Sequence, residues 1–207
     1  MVAKIHHKPV VRGVIFDMDG TLTVPVIDFA AMRRRVGVGQ TGDILDIIKT
    51  WDTDRQEQAK KILADIEEEA LQRMQVMPGV LDLCDYLDEH RIPRALITRN
   101  VIKSVRWFHA EHFCRPCERG ITRGPFIPAY SRECGFPYKP NPGALLHVCE
   151  QWGIMPSEMI MIGDSAKDDV AAGNRAGGHT ILLDTDARYS LQELESSEDD
   201  SVSAVVF

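Results

Sequence analysis

Hydrophobic and polar positions along this chain keep two rhythms in turn. Short runs rich in β-branched and aromatic residues, at 10–16, 94–98, 158–162 and 180–183, predict buried strands, with a further one at 202–207. Between them, 80–89, 101–112, 143–152 and 170–176 read as helices, the first with Val80, Leu83, Cys84 and Leu87 on one side. The last helix stops at Gly177 and Gly178, a C-cap signal. Residues 114–138 follow neither rhythm. Rich in Gly, Pro, Cys and Arg, they read as an irregular loop that is functional or mobile. The acidic stretch 193–201 reads as solvated surface.

Strands alternating with helices imply an α/β fold: a Rossmann-like, mainly parallel sheet with right-handed crossovers and helices on both faces. One interruption changes the picture. After the first strand, Pro25 breaks the path and three helical patterns follow with no strand between them. They cover 28–36 with Asp28 as N-cap, 43–51, and 54–74 with Thr53 as cap. The third keeps Ala59, Ile62, Leu63, Ile66, Ala70, Leu71 and Met74 on one face. Gly37, Gly39 and Gly42 mark a flexible turn, and Arg33, Arg34 and Arg35 read as charges complementing a helix C-terminus. The expected division is an α/β core of residues 1–23 and 78–207 and a small helical cap of residues 24–77 that rocks open and shut.

The length of 207 residues suits one core with a small accessory domain. A net charge of −7 without a basic stripe argues against nucleic acid or an anionic membrane as partner. No apolar run approaches the ~20 residues that span a bilayer. The N-terminus is short and basic and has no apolar core of a secretory signal, so the expected location is cytoplasmic, with organellar targeting left open. A monomer or weak homodimer is expected. An odd number of cysteines, five, points to free thiols. His112, Cys114, Cys117 and Cys134 form at best a weak zinc pattern, because a single Cys-x-x-Cys lacks its second pair.

The chemistry concentrates at strand ends. The first strand stops at Asp17-Met18-Asp19-Gly20-Thr21, and open α/β sheets bind ligands outside the carboxyl ends of their strands. In that geometry Asp17, Thr98 and Asp164 share one edge of the sheet. A carboxylate is ionised at neutral pH and can attack phosphorus without a base. A dianionic substrate would repel it, so a cation must lie between them. Hard oxygens such as those of Asp17 and Asp164 suit Mg²⁺. The Thr98 hydroxyl and the Arg99 or Asn100 amide offer donors to phosphoryl oxygens, and Lys139 in Lys-Pro-Asn-Pro would neutralise them.

These segments, in this order, resemble the motifs of the haloacid-dehalogenase superfamily of phosphohydrolases over residues 10–23 and 78–184. The resemblance implies that Asp17 is the nucleophile and forms an aspartyl phosphate. It implies that Asp17, Asp164 and the backbone carbonyl of Asp19 hold Mg²⁺, and that Asp19 is the general acid/base. Gly163-Asp164 is followed by both Asp168 and Asp169. Asp169 keeps the spacing that the family usually shows from this acid to Ala176-Gly177, so the resemblance implies Asp169, over Asp168, as the acid that orients metal-bound water or Lys139. The cap position is similar to that of the phosphoglycolate phosphatase and phosphoglucomutase branch.

The leading expectation is a Mg²⁺-dependent phosphatase for a small phosphorylated metabolite. A β-phosphoglucomutase-like isomerase would share every motif. A phospho-aspartate signalling receiver or a silent binding module belongs to a different class. The pair of acids at the first strand and the helical insertion disfavour the receiver.

Overall fold

The computed structural model describes residues 10–114, 116, 122–185 and 187–189, and the backbone of a strand at Ala204–Val206. Six strands form one all-parallel sheet in the order β3-β2-β1-β4-β5-β6. They are β1 (Gly13–Phe16), β2 (Arg94–Ile97), β3 (Ala129–Tyr130), β4 (Met159–Gly163), β5 (His179–Leu182) and β6 (Ala204–Val206). The helices are α1 (Phe29–Val36), α2 (Ile44–Lys49), α3 (Thr53–Gln72), α4 (Val80–Glu89), α5 (Ile102–His112), α6 (Gly143–Trp152) and α7 (Ala171–Ala176). The α/β Rossmann-like class read from the pattern is the class observed.

The chain lays β1, β2 and β3 outward in one direction, then returns to place β4 on the other side of β1. The reversal opens a crevice at the carboxyl ends of β1 and β4, where ligands bind in such sheets. Phe16 pairs with Ile162 of β4 and with Leu96 of β2, so the residues that follow these strands emerge side by side.

Alternation along the strands supplies both faces. Ile15, Ala95, Ile97, Met159 and Met161 pack with Leu145, Val148 and Cys149 of α6 and with Ala172 and Ala176 of α7. On the opposite face Phe16 meets Phe126 edge-on at 5.6 Å between ring centres, and Phe126 leads to Phe108 of α5.

The chain divides into two compact units, Pro25–Gln75 and the remainder. The shorter unit is helical, with Met32, Val36, Ile48, Ala59, Leu63 and Ile66 as its core. Each of its helices begins with an aspartate that satisfies otherwise orphaned backbone N–H groups: Asp28, Asp43 and Asp52. The cap of α3 is therefore Asp52, one residue before the expected Thr53. An aspartate accepts as strongly as threonine at this position, and spacing does not separate neighbours. The glycine-rich turn is not left loose. Arg33 donates to the carbonyls of Gly39 at 2.5 Å, Thr41 at 2.7 Å and Gly42 at 3.0 Å. Its guanidinium is spent on the turn, whereas Arg35 forms a loose, exposed pair with Glu69.

The stretch expected to be irregular contains β3, whose two residues extend the sheet beyond β2. So short a strand carries no periodicity. The same stretch supplies Glu133, which accepts the Ile102 N–H at 2.6 Å and caps α5. Cys117 and the acidic stretch 193–201 lie outside the described residues. Cys84, Cys114, Cys134 and Cys149 are free thiols. Among the described residues no helix is long and apolar enough to cross a membrane.

Candidate active site

The opening strand ends in a tight turn that separates its two acids from the core. Leu22 and Thr23 both donate their N–H to the Met18 carbonyl at 2.8 Å, and Gly20 takes the left-handed φ of +78° that the turn requires. Met18 and Leu22 are fully buried. Asp17 and Asp19 stay at the rim, each half-buried. The Asp17 N–H continues the ladder onto the Ile162 carbonyl at 2.9 Å, which locks the first acid to β4.

At the end of β4 the chain makes a wide, π-type turn over Ala166–Val170, a device common at functional sites. The turn folds Asp169 back, where it accepts the Ser165 N–H at 3.1 Å. A Cβ on Gly163 would lie 2.2 Å from the Asp169 carboxyl. Asp164 needs Gly20 in the same way: a Cβ there would approach its Oδ2 to 2.6 Å. Two glycines thus form the floor on which two acids rest. Asp168 turns aside, accepts the Ser165 hydroxyl at 3.2 Å and is half-buried.

Lys139 is the hub. It is 6% exposed, although it stands in a loop. Its Nζ donates to Asp17 Oδ1 at 2.5 Å and to the Ile97 carbonyl at 2.8 Å, and lies 2.7 Å from Asp169 Oδ1. Burial pulls its pKa down, but the Asp17 and Asp169 carboxylates outweigh burial and hold the ammonium above its ordinary range. Burial pushes the Asp17 carboxyl up, the Lys139 ammonium opposes this, and repulsion from Asp169 adds to it.

Asp17, Asp164 and Asp169 each present an oxygen, all within 4.8 Å of one another. Three clustered carboxylates face two cations, the Lys139 ammonium and the Arg188 guanidinium on Asp164, and remain undercompensated in charge. Hard oxygen donors at this separation fit a small divalent cation. Asp19 stands apart from this group. It accepts the Asn100 side-chain amide at 2.8 Å and the Thr23 hydroxyl at 3.2 Å. Burial raises its pKa, and these two hydrogen bonds hold it back.

The second strand delivers Thr98, which is buried and accepts the Asn100 backbone N–H at 3.1 Å. Asn100 therefore spends its backbone donor on Thr98 and a side-chain donor on Asp19. Arg99 is exposed, with its guanidinium 5.0 Å from the centre of the Tyr138 ring, and it lines a small cleft with Thr98, Ser131, Tyr138 and Lys139.

Two groups escaped the sequence reading. Arg188 pairs with Asp164 at 2.8 Å, and the Tyr189 hydroxyl reaches the Asp164 carbonyl at 3.4 Å. Neither belongs to a motif, and no local pattern points to them.

The sheet reverses at β1, and the buried Lys139 ties Asp17, after β1, to Asp169, in the turn after β4. Residues 11–177 match the family described as haloacid dehalogenase-like hydrolase, and the chain belongs to that family. It is 46% identical over 198 residues to a haloacid dehalogenase-like hydrolase domain-containing protein of Arabidopsis thaliana, covering 90% of this chain and 76% of that one. It is 29% identical over 196 residues to a phosphoglycolate phosphatase of Pseudomonas putida, covering 83% and 69%. Among solved structures, a hydrolase from Pseudomonas syringae shares the fold with a TM-score of 0.68 at 19% identity, over 95% of this chain and 93% of that one.

Proposed function

We propose that this hydrolase is a Mg²⁺-dependent phosphatase acting on a small phosphate monoester through an aspartyl phosphate on Asp17. The observation that carries the reading is the convergence of Asp17, Asp164 and Asp169 around Lys139. Asp17, Asp164 and Asp169, with the Asp19 carbonyl, would hold Mg²⁺. When bound, the ion supplies charge neutralisation between the attacking carboxylate and the phosphoryl oxygens.

Asp17 attacks phosphorus, and the bond to the leaving alkoxide breaks. Asp19, held beside the site by Asn100 and Thr23, gives its proton to that oxygen. It then takes one from the water that opens the acyl phosphate, releasing inorganic phosphate and restoring Asp17. Lys139 and the Thr98 hydroxyl stabilise charge on the transferring group, and Arg99 lies at the rim of the cleft they line. The helical unit Pro25–Gln75 serves as the cap that selects the substrate. The similarity to a phosphoglycolate phosphatase supports a substrate of that size.

The test is a phosphate-release screen over small phosphate monoesters with and without Mg²⁺, using Asp17→Asn as blank. Stoichiometric phosphate is expected from the wild type alone and only with the metal. Isomerised sugar phosphate without phosphate release would replace the reading by a phosphomutase.

A further inference from the structure

Asp164 is held by a turn that lies outside the four motifs. Directly after β5, the Asp184 carboxylate accepts the Arg188 N–H at 2.7 Å and the Tyr189 N–H at 3.1 Å. The Asp184 side chain is 5% exposed, so the turn it closes is anchored to the body of the core. The turn presents Arg188 Nη2 to Asp164, where it donates to the backbone carbonyl at 3.0 Å and to Oδ2 at 2.8 Å. Tyr189 braces the same place. Its hydroxyl accepts the Ala166 N–H at 3.2 Å and meets the Asp164 carbonyl. Asp164 Oδ2 is thereby flanked by Arg188 and by the bare Cα of Gly20.

We propose that Arg188 is a positioning residue for the cation site: by engaging Oδ2 of Asp164 it turns Oδ1 toward Asp17 and Asp169. A carboxylate free to rotate offers either oxygen, and an ion must then meet the cost of choosing one. A guanidinium fixed on one oxygen has made that choice beforehand. The bond to the Asp164 backbone carbonyl matters, because it keeps the guanidinium in place whatever the carboxylate does. Partners of this kind behind a metal ligand change affinity by about 10–100-fold. The opposite role is also chemically available, since a guanidinium can compete with a divalent cation for the same carboxylate. The geometry favours support over competition because Asp164 has a second oxygen and Arg188 a second acceptor. This inference rests on the Mg²⁺ reading given above.

The experiment is Mg²⁺ binding to the full chain by titration calorimetry, repeated with Mn²⁺ by electron paramagnetic resonance. Arg188→Ala should bind both ions about 10–100-fold more weakly than the wild type. Guanidinium chloride at a non-denaturing concentration should restore part of that affinity, where sodium chloride of equal ionic strength does not. Tyr189→Phe, which removes a brace but no charge, should change affinity little. Unchanged affinity in Arg188→Ala overturns the proposal, and tighter binding shows that the arginine competes with the ion. A loss that guanidinium fails to restore, with a lowered melting temperature, shows a collapsed turn and also overturns it. Absence of Mg²⁺ binding by the wild type would instead remove the metal reading of the whole site, and this inference with it.

Discussion

Lys139 Nζ and Asp169 Oδ1 lie 2.7 Å apart, with side chains 4% and 3% exposed. Such a pair is costly to bury and more costly to break, because the surviving charge has no water to return to. Lys139→Met should destabilise the protein by about 3–5 kcal/mol, with part of the loss recovered by added Mg²⁺. Chemical denaturation with and without the metal reads both effects. A variant as stable as the wild type would show that the lysine does not compensate the carboxylates.

The two neighbouring acids of the fourth motif should separate sharply. Asp169 supports Lys139, whereas Asp168 is bonded to Ser165. Asp169→Asn should lower kcat by about 10²–10³-fold, the range seen when one preorganised electrostatic group is lost. Asp168→Asn should leave kcat near the wild-type value. Steady-state kinetics on any substrate found in the screen decides it, and the reverse order would reassign the role.

Gly163 should tolerate no side chain. Its added Cβ would fall 2.2 Å from the Asp169 carboxyl, so the acid or the strand must move. Gly163→Ala should cost about 1–3 kcal/mol by overpacking and abolish most of the activity. A thermal melt together with an activity assay tests it, and an active, stable variant would contradict the placement of Asp169.

His109 offers a pH test away from the acids. Burial, then the nearby Arg94 charge, holds its pKa down at about 4, and its Nε2 accepts the Phe126 N–H at 3.3 Å. Protonation would remove that acceptor. The folded value lies below the unfolded one, so between them the unfolded chain binds the extra proton. Stability from this group is complete above pH 6.5 and is lost as pH falls toward 4. Solvent screening at this half-buried site leaves about 1–2 kcal/mol of the effect. His109→Gln keeps an acceptor and should flatten that part of the slope. Denaturation midpoints of both proteins at several pH values measure it.

In the helical unit, Arg33→Ala removes three hydrogen bonds to the carbonyls of the glycine-rich turn. Net hydrogen bonds of this kind contribute about 0.5–1.5 kcal/mol each, and less where solvent competes. The turn should open to a nonspecific protease well before the melting temperature falls by a comparable measure. Equal cutting of both proteins would mean that the arginine is not what orders the turn.

Much of this protein was legible from its residues alone. Strand and helix periods, the aspartate cap at Asp28 and the C-cap at Gly177 depend on neighbours within a few positions, and such signals are written locally. The spacing of Asp17, Thr98, Lys139 and Asp164 is legible for the same reason, because each stands at or beside the end of a segment that announces itself. What the chain did not announce lies in encounters between distant segments. Asn100 reaches Asp19 across 81 positions, and Arg188 reaches Asp164 across 24. Neither pairing has a period, and each depends on which loops the sheet order brings to the same edge.

The division follows from physics. Local backbone preference and the burial of apolar side chains determined the elements and put three of the four motifs at strand ends, with Lys139 just before a helix. The tertiary structure decided which of two adjacent acids is buried against Gly163, that Asn100 steadies Asp19, and that an arginine beyond the motifs grips Asp164. Those outcomes are set by charge compensation in a buried site, which no stretch of sequence holds by itself.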